Sequence, residues 1–302
     1  MNCTSTRQRS IRALLRLALG SCALFAATTQ AYDGPLHQEL TFIAARAFNG
    51  CVDEGRLAAK PLTPLQVRYV AKTNRRQAQS NLFKRLFRWN YYDRGGQSAQ
   101  SWFWVIDTRF HGHFKEVNQR LAGPRSQAAF FSDLGRMVNY VQNVTSPAHA
   151  VPVYTGRFWR FSLSDRFDGF DLDREPLLQS LDGACESALN LPASYEDILQ
   201  TTAARTLAAV QSPVAGMPAQ WSAFWRPDEN PSSFGEYGRA GNNFGRPVQF
   251  RCGGGQRCVL LEDDPLYRSF ALARHKDAVV STMRIFLLAH RSADVEALVP
   301  GG

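Results

Sequence analysis

Regular strand alternation is scarce in this chain of 302 residues, and its scarcity excludes an all-β architecture. Beyond the first thirty residues, no segment stays apolar over the roughly 20 residues a helix needs to cross a bilayer. Linkers, internal repeats and low-complexity tracts are also missing, so residues 32–302 read as a single domain. Cysteines number only six, and none stands in the paired Cys-x-x-Cys spacing that a four-cysteine zinc site requires. Acids are outnumbered, with 26 Asp and Glu against 35 Lys and Arg. That excess suits an anionic partner such as a phosphate ester.

Residues 1–31 read as a secretory signal peptide. Arg7, Arg9, Arg12 and Arg16 form a basic start without an acid, and the apolar run over 17–27 is too short to span a bilayer. Thr29-Gln30-Ala31 supplies a small-residue cleavage site. An uncleaved anchor is the other reading of the same run. Leu19-Gly20-Ser21-Cys22 is also loosely lipoprotein-like, although Arg16 crowds its apolar core. Cleavage after Ala31 removes Cys3 and Cys22 and predicts a secreted or periplasmic protein. Four cysteines then remain in an oxidising compartment. Cys252 and Cys258 flank a pliable Gly-Gly-Gly-Gln-Arg loop and are expected to pair, which leaves Cys51 for Cys185.

Helical signals dominate what is present, and the class expected is all-α with long loops. Apolar residues at Leu40, Ile43, Ala44 and Phe48 mark a helix over 37–48. Thr63-Pro64 reads as a cap with proline in the first turn, opening a helix to about residue 79. Ser126 caps a helix over 127–144, with Phe130, Leu134, Met137, Val138 and Val141 as its stripe. Ser194 and Asp197 form a capping-box pattern for a helix to about 209, and 265–290 predicts a long final helix. Loops are expected over 86–110, 151–172 and 212–264.

The chemistry-bearing residues collect around the 127–144 helix. Asn139 and Asn143 lie four apart and share a helix face. His149 follows six residues later, just beyond Ser146-Pro147, where the helix should stop. Other candidates are Tyr32 at the new N-terminus, His37 five residues on, Asp93 in Asn-Tyr-Tyr-Asp-Arg, and His113 in His-Gly-His-Phe-Lys-Glu. Ser164 to Asp168, read Ser-Asp-Arg-Phe-Asp, completes the set. Each has a plainer reading as well. A histidine after a helix end can simply bond a carbonyl, Asn139 and Asn143 can line a solvated face, and Asp93 can pair with Arg94. Asn143-Val144-Thr145 is also a glycosylation acceptor pattern.

The Tyr32/His37 spacing, His113-Phe114 and the 139/143/149 order resemble the zinc-dependent phospholipase C superfamily, which includes the fungal single-strand nucleases. The likeness runs over about residues 32–170. It implies an exported all-α bundle with up to three zinc sites. One would use Asp93, His113 and positions 139 and 143. A second would use His149, position 164 and Asp168. The third would use the Tyr32 amine and carbonyl, His37 and position 143. Asp93 also matches the family's proposed general base. Here, however, Asn139 replaces a histidine, Asn143 the bridging aspartate, Ser164 a histidine, and Asp168 a glutamate. A neutral amide is a poor zinc ligand, so fewer metals are expected; Asp107, His111 and Asp165 lie near enough in sequence to compensate in part.

The resemblance thus implies a zinc-dependent phosphodiesterase acting on phospholipid. Its alternatives are an inactive relative that binds a ligand or partner, and a hydrolase of single-stranded nucleic acid. The basic, apolar stretch over 82–89 reads either as a membrane-surface contact or as one more amphipathic core helix. The aromatic runs over 102–104 and 158–161 read as a substrate pocket or as ordinary core.

Overall fold

The computed structural model describes residues 34–79, 91–94, 111–153, 165–190 and 192–297. The expected signal peptide, Tyr32, position 164, the 82–89 stretch, the 102–104 and 158–161 aromatic runs and Asp107 lie outside them. Helices dominate, in nine α-helical segments among the described residues: α1 (Gly34–Asp53), α2 (Pro64–Ala78), α3 (His111–Leu121), α4 (Gln127–Asn143), α5 (Pro147–Ala150), α6 (Arg174–Ser180), α7 (Ala184–Leu189), α8 (Tyr195–Gln211) and α9 (Pro265–Ala297). Between α8 and α9 lie two small antiparallel pairs, β1 (Trp225–Arg226) with β2 (Glu236–Tyr237) and β3 (Val248–Arg251) with β4 (Arg257–Leu260). The loop expected over 212–264 therefore carries a little sheet. None of the described helices is long and apolar enough to cross a membrane.

The helix starts follow from their caps. Thr63 accepts from the Gln66 amide while Gln66 accepts from the Thr63 amide, and Pro64 occupies the first turn, where its missing N–H is not needed. Ser126 caps α4 through the Ala129 amide, and Ser194 caps α8 through the Asp197 amide. α4 stops at Asn143. Ser146-Pro147 then opens the one-turn α5, which carries His149.

Helix α4 is the axis of the bundle. From Asp133 to Asn143 every residue but Arg136 is buried, so the predicted stripe widens to nearly the whole circumference. Helices α2, α3, α8 and α9 enclose it. The approach of α2 is so close that a Cβ on Gly135 would lie 2.4 Å from the Val70 carbonyl oxygen. Gly135→Ala is accordingly expected to lower stability by ~1–3 kcal/mol, because two backbones must separate; a urea midpoint equal to wild type would contradict this packing.

Both expected disulfides are present. Cys51 in α1 joins Cys185 in α7 with a Cα separation of 5.7 Å, and Cys252 joins Cys258 across the β3–β4 turn. Two bridges fit folding in an oxidising compartment.

Candidate functional site

A polar network fills the interior where α1, α2 and α4 meet. The His37 Nδ1 lies 2.7 Å from Gln142 Oε1, and its Nε2 lies 3.2 Å from Asn143 Oδ1. Asn143 Nδ2 donates to Asn139 Oδ1, and Asn139 Nδ2 donates to Asn74 Oδ1. Asn74 Nδ2 donates to Gln142 Oε1 and Thr41 Oγ1. All six side chains are buried.

Backbone carbonyls fix the direction of this ring of amides. The hydroxyls of Thr41 and Thr282 donate to the His37 and Ala278 carbonyls, so both threonine oxygens are left to accept. Gln142 Nε2 therefore points at Thr282, and Gln142 presents its oxygen to His37. The Nδ1 of His37 must then carry the proton. Burial lowers the His37 pKa from 6.5 to about 4, against upward pulls from Gln142 and Asp168, so near pH 7 the ring is neutral and holds a single proton. Its Nε2 lone pair consequently faces the Asn143 oxygen, another acceptor.

A second pair lies alongside. His149 Nε2 is 3.3 Å from Asp168 Oδ2, and Ser146 donates to the other Asp168 oxygen at 2.6 Å. The chain brings these groups to the first pair through α5, since Ser146 N–H donates to the Asn143 carbonyl. The shift of His37 also registers the charges of Asp168 and His149. Tyr91 stacks on the His149 ring with centroids 5.3 Å apart, and the Tyr92 amide donates to the His149 carbonyl. The next residue, Asp93, is fully buried.

Asp165 extends the centre in a way the sequence signalled only by proximity. It is buried, accepts from Trp225 Nε1 at 2.8 Å, from the Tyr237 hydroxyl at 2.9 Å and from the Phe167 amide. Burial, then the Asp168 charge, raise its pKa from 3.8 to about 6. Trp225 and Tyr237 come from the β1–β2 pair, which thereby acquires a role. Phe167, Phe224, Phe244 and Phe270 pack around Trp225 and hold the 165–169 turn against α9.

His113 stands apart from the other expected ligands. Its side chain is exposed on α3, whereas the adjacent Phe114 is buried against Tyr140. Neighbouring residues on a helix point about 100° apart, so burying Phe114 turns His113 outward.

The donor sets divide in their fitness for zinc. Two ligands 2.0–2.2 Å from a tetrahedral ion sit about 3.3–3.5 Å from each other. The His149/Asp168 pair, at 3.3 Å, reaches that spacing, and the His37/Asn143 pair, at 3.2 Å, falls just short of it. The set expected from Asp93, His113, Asn139 and Asn143 does not fit, because both ends of the Asn139 amide are taken by other amides and His113 faces solvent. Among the described residues no three His, Cys, Asp or Glu side chains group as a metal site. The chain matches no protein-family model, no curated protein and no solved structure, so the resemblance rests on these residues alone.

Buried neutral imidazoles also make stability acid-sensitive. His275, on α9, is lowered to about 4 by burial, as His37 is. Unfolded histidines take up protons from about pH 6.5 downward, while these two refuse them until about pH 4, so stability falls as pH drops through that window. The loss approaches ~3 kcal/mol per imidazole at the acid end. Asp165 opposes it in part, keeping a proton between pH 3.8 and about 6 that the unfolded carboxyl has lost. In chelator, the urea midpoint is expected to fall between pH 7 and pH 5, and His275→Gln to reduce that fall; a midpoint flat across the range would contradict neutral burial.

Proposed function

We propose that the chain is an exported phosphodiester hydrolase of the zinc-dependent phospholipase C type, working with a reduced metal complement. The supporting observation is the convergence in one buried centre of two nitrogen–oxygen pairs, His37/Asn143 at 3.2 Å and His149/Asp168 at 3.3 Å. Bound metal at these pairs would acidify water and neutralise a phosphodiester. The chain's own side chains supply the rest. The Gln142 oxygen, by accepting from Nδ1, orients the His37 ring and directs Nε2 into the centre. Ser146 does the same for Asp168. Asp93 is the group we assign to accept a proton from the attacking water. Phospholipid is the favoured substrate, and single-stranded nucleic acid the lesser one.

A second reading, an inactive relative that binds a ligand through the old cleft, is favoured by the closed amide run Asn74–Asn139–Asn143, where hydrogen bonds stand in for metal bonds. Hydrolysis separates the two. Mature protein should release phosphocholine from phosphatidylcholine vesicles, lose that activity in chelator and regain it with zinc. His149→Ala should lower the rate by on the order of 100-fold or more, the size of loss that follows removal of a group acting in the transition state. No release of phosphocholine, and no nucleotide from single-stranded DNA at any zinc concentration, would leave the binding reading.

A further inference from the structure

A second hollow opens at the other end of the bundle, where α3, the first half of α4, the start of α8 and the end of α9 meet. Leu134, which lines it, lies nine residues before Asn143, or about 13 Å along the helix, so the hollow is separate from the polar centre. Its volume is about 660 Å³, within the ~300–1,000 Å³ of small-molecule pockets. Leu121, Phe130, Leu134 and Phe286 give it an apolar wall, and Phe286 and Leu134 carry that wall down into the core. Two cations, Lys60 and Arg125, also line it, and among the described residues no Asp or Glu does.

The charge beside it is unbalanced as well. Arg120, Arg125 and Arg136 all pair with a single carboxylate, Asp133, and among the described residues only Arg120 has a second acid, Glu116. Arg125 thus shares its carboxylate with two arginines outside the hollow, and Lys60 at the edge is exposed. An apolar cavity with a cationic edge fits an anionic amphiphile. A phosphate ester without a tail would leave the aromatic wall wet, and a neutral lipid would leave Lys60 unmatched.

We propose that this hollow binds a long-chain fatty acid, its tail against Leu121, Phe130, Leu134 and Phe286 and its carboxylate toward Lys60 and Arg125. The inference does not rest on the zinc reading, since none of these residues belongs to the polar centre. Each buried methylene strengthens binding about four-fold, so the affinity should climb with chain length.

The test is displacement of the fluorescent fatty acid cis-parinarate from delipidated mature protein. Palmitate should displace it at one equivalent per chain, and laurate, four methylenes shorter, should bind on the order of 100-fold more weakly. Ala122→Trp places a ring in the mouth at an exposed position and should weaken palmitate at least tenfold. Lys60→Glu, also exposed, should weaken palmitate several-fold and leave hexadecanol unchanged. Should Ala122→Trp fail to fold, Lys60→Glu and the chain-length series decide alone. No saturable displacement, equal affinity for laurate and palmitate, or unchanged palmitate binding in the folded variants would overturn the proposal.

Discussion

Asn143→Asp is expected to raise zinc affinity by on the order of 100-fold. The reasoning is electrostatic. The Asn143 oxygen already faces Nε2 of His37 across 3.2 Å, so the substitution changes charge and barely changes shape. A full negative charge beside a dication, in place of an amide dipole, is worth several kcal/mol even with generous screening. Without metal the same change should be harmful. The carboxylate would be buried among Asn139 and a neutral His37, and Asn139 Oδ1 would lose the amide donor it now has. The variant should therefore melt well below wild type in chelator and recover on adding zinc, a crossing of two melting curves that a merely structural residue would not produce. Isothermal titration with zinc and thermal unfolding with and without chelator check both halves. Equal zinc affinity in wild type and variant would remove position 143 from any metal site.

Breaking the Cys51–Cys185 bridge should have the largest effect on the fold. It closes a loop of 134 residues that contains α2 through α6, and so restrains much of the unfolded chain. Both cysteines are buried, and their removal as Cys51→Ala with Cys185→Ala is expected to cost about 3–5 kcal/mol, which for a domain of this size lowers the melting temperature by ~10 °C or more. The Cys252–Cys258 bridge closes only a short hairpin turn that the β3–β4 ladder already holds, so its loss should matter much less. Calorimetry on the two double variants measures the difference. A larger drop for the hairpin pair would contradict this ordering.

Much of the frame was legible because its signals are local. A cap and its helix lie within four residues, and Thr63, Ser126 and Ser194 each begin a helix where the pattern put them. Proline after Ser146 broke α4 and turned His149 inward on its own short helix. His37, Asn143, His149 and Asp168 were grouped by the resemblance, since His37 and Asn143 lie 106 residues apart. Partners far apart in sequence left no such signal. Asn74 and Gln142 meet across 68 residues, and each looks like an ordinary polar residue of an amphipathic helix. Trp225 and Tyr237 reach Asp165 from a segment that reads only as loop. The exposure of His113 depends on helix phase, which its neighbour Phe114 set by packing.

Anomalous diffraction at the zinc edge, on crystals of the mature protein grown with zinc, tests the central claim most directly. The account predicts peaks within about 2.0–2.2 Å of His37 Nε2 and of His149 Nε2, and none beside Asn139. Strong density at Asn139, or crystals with ordered imidazoles at 37 and 149 and no peak near either, would contradict it.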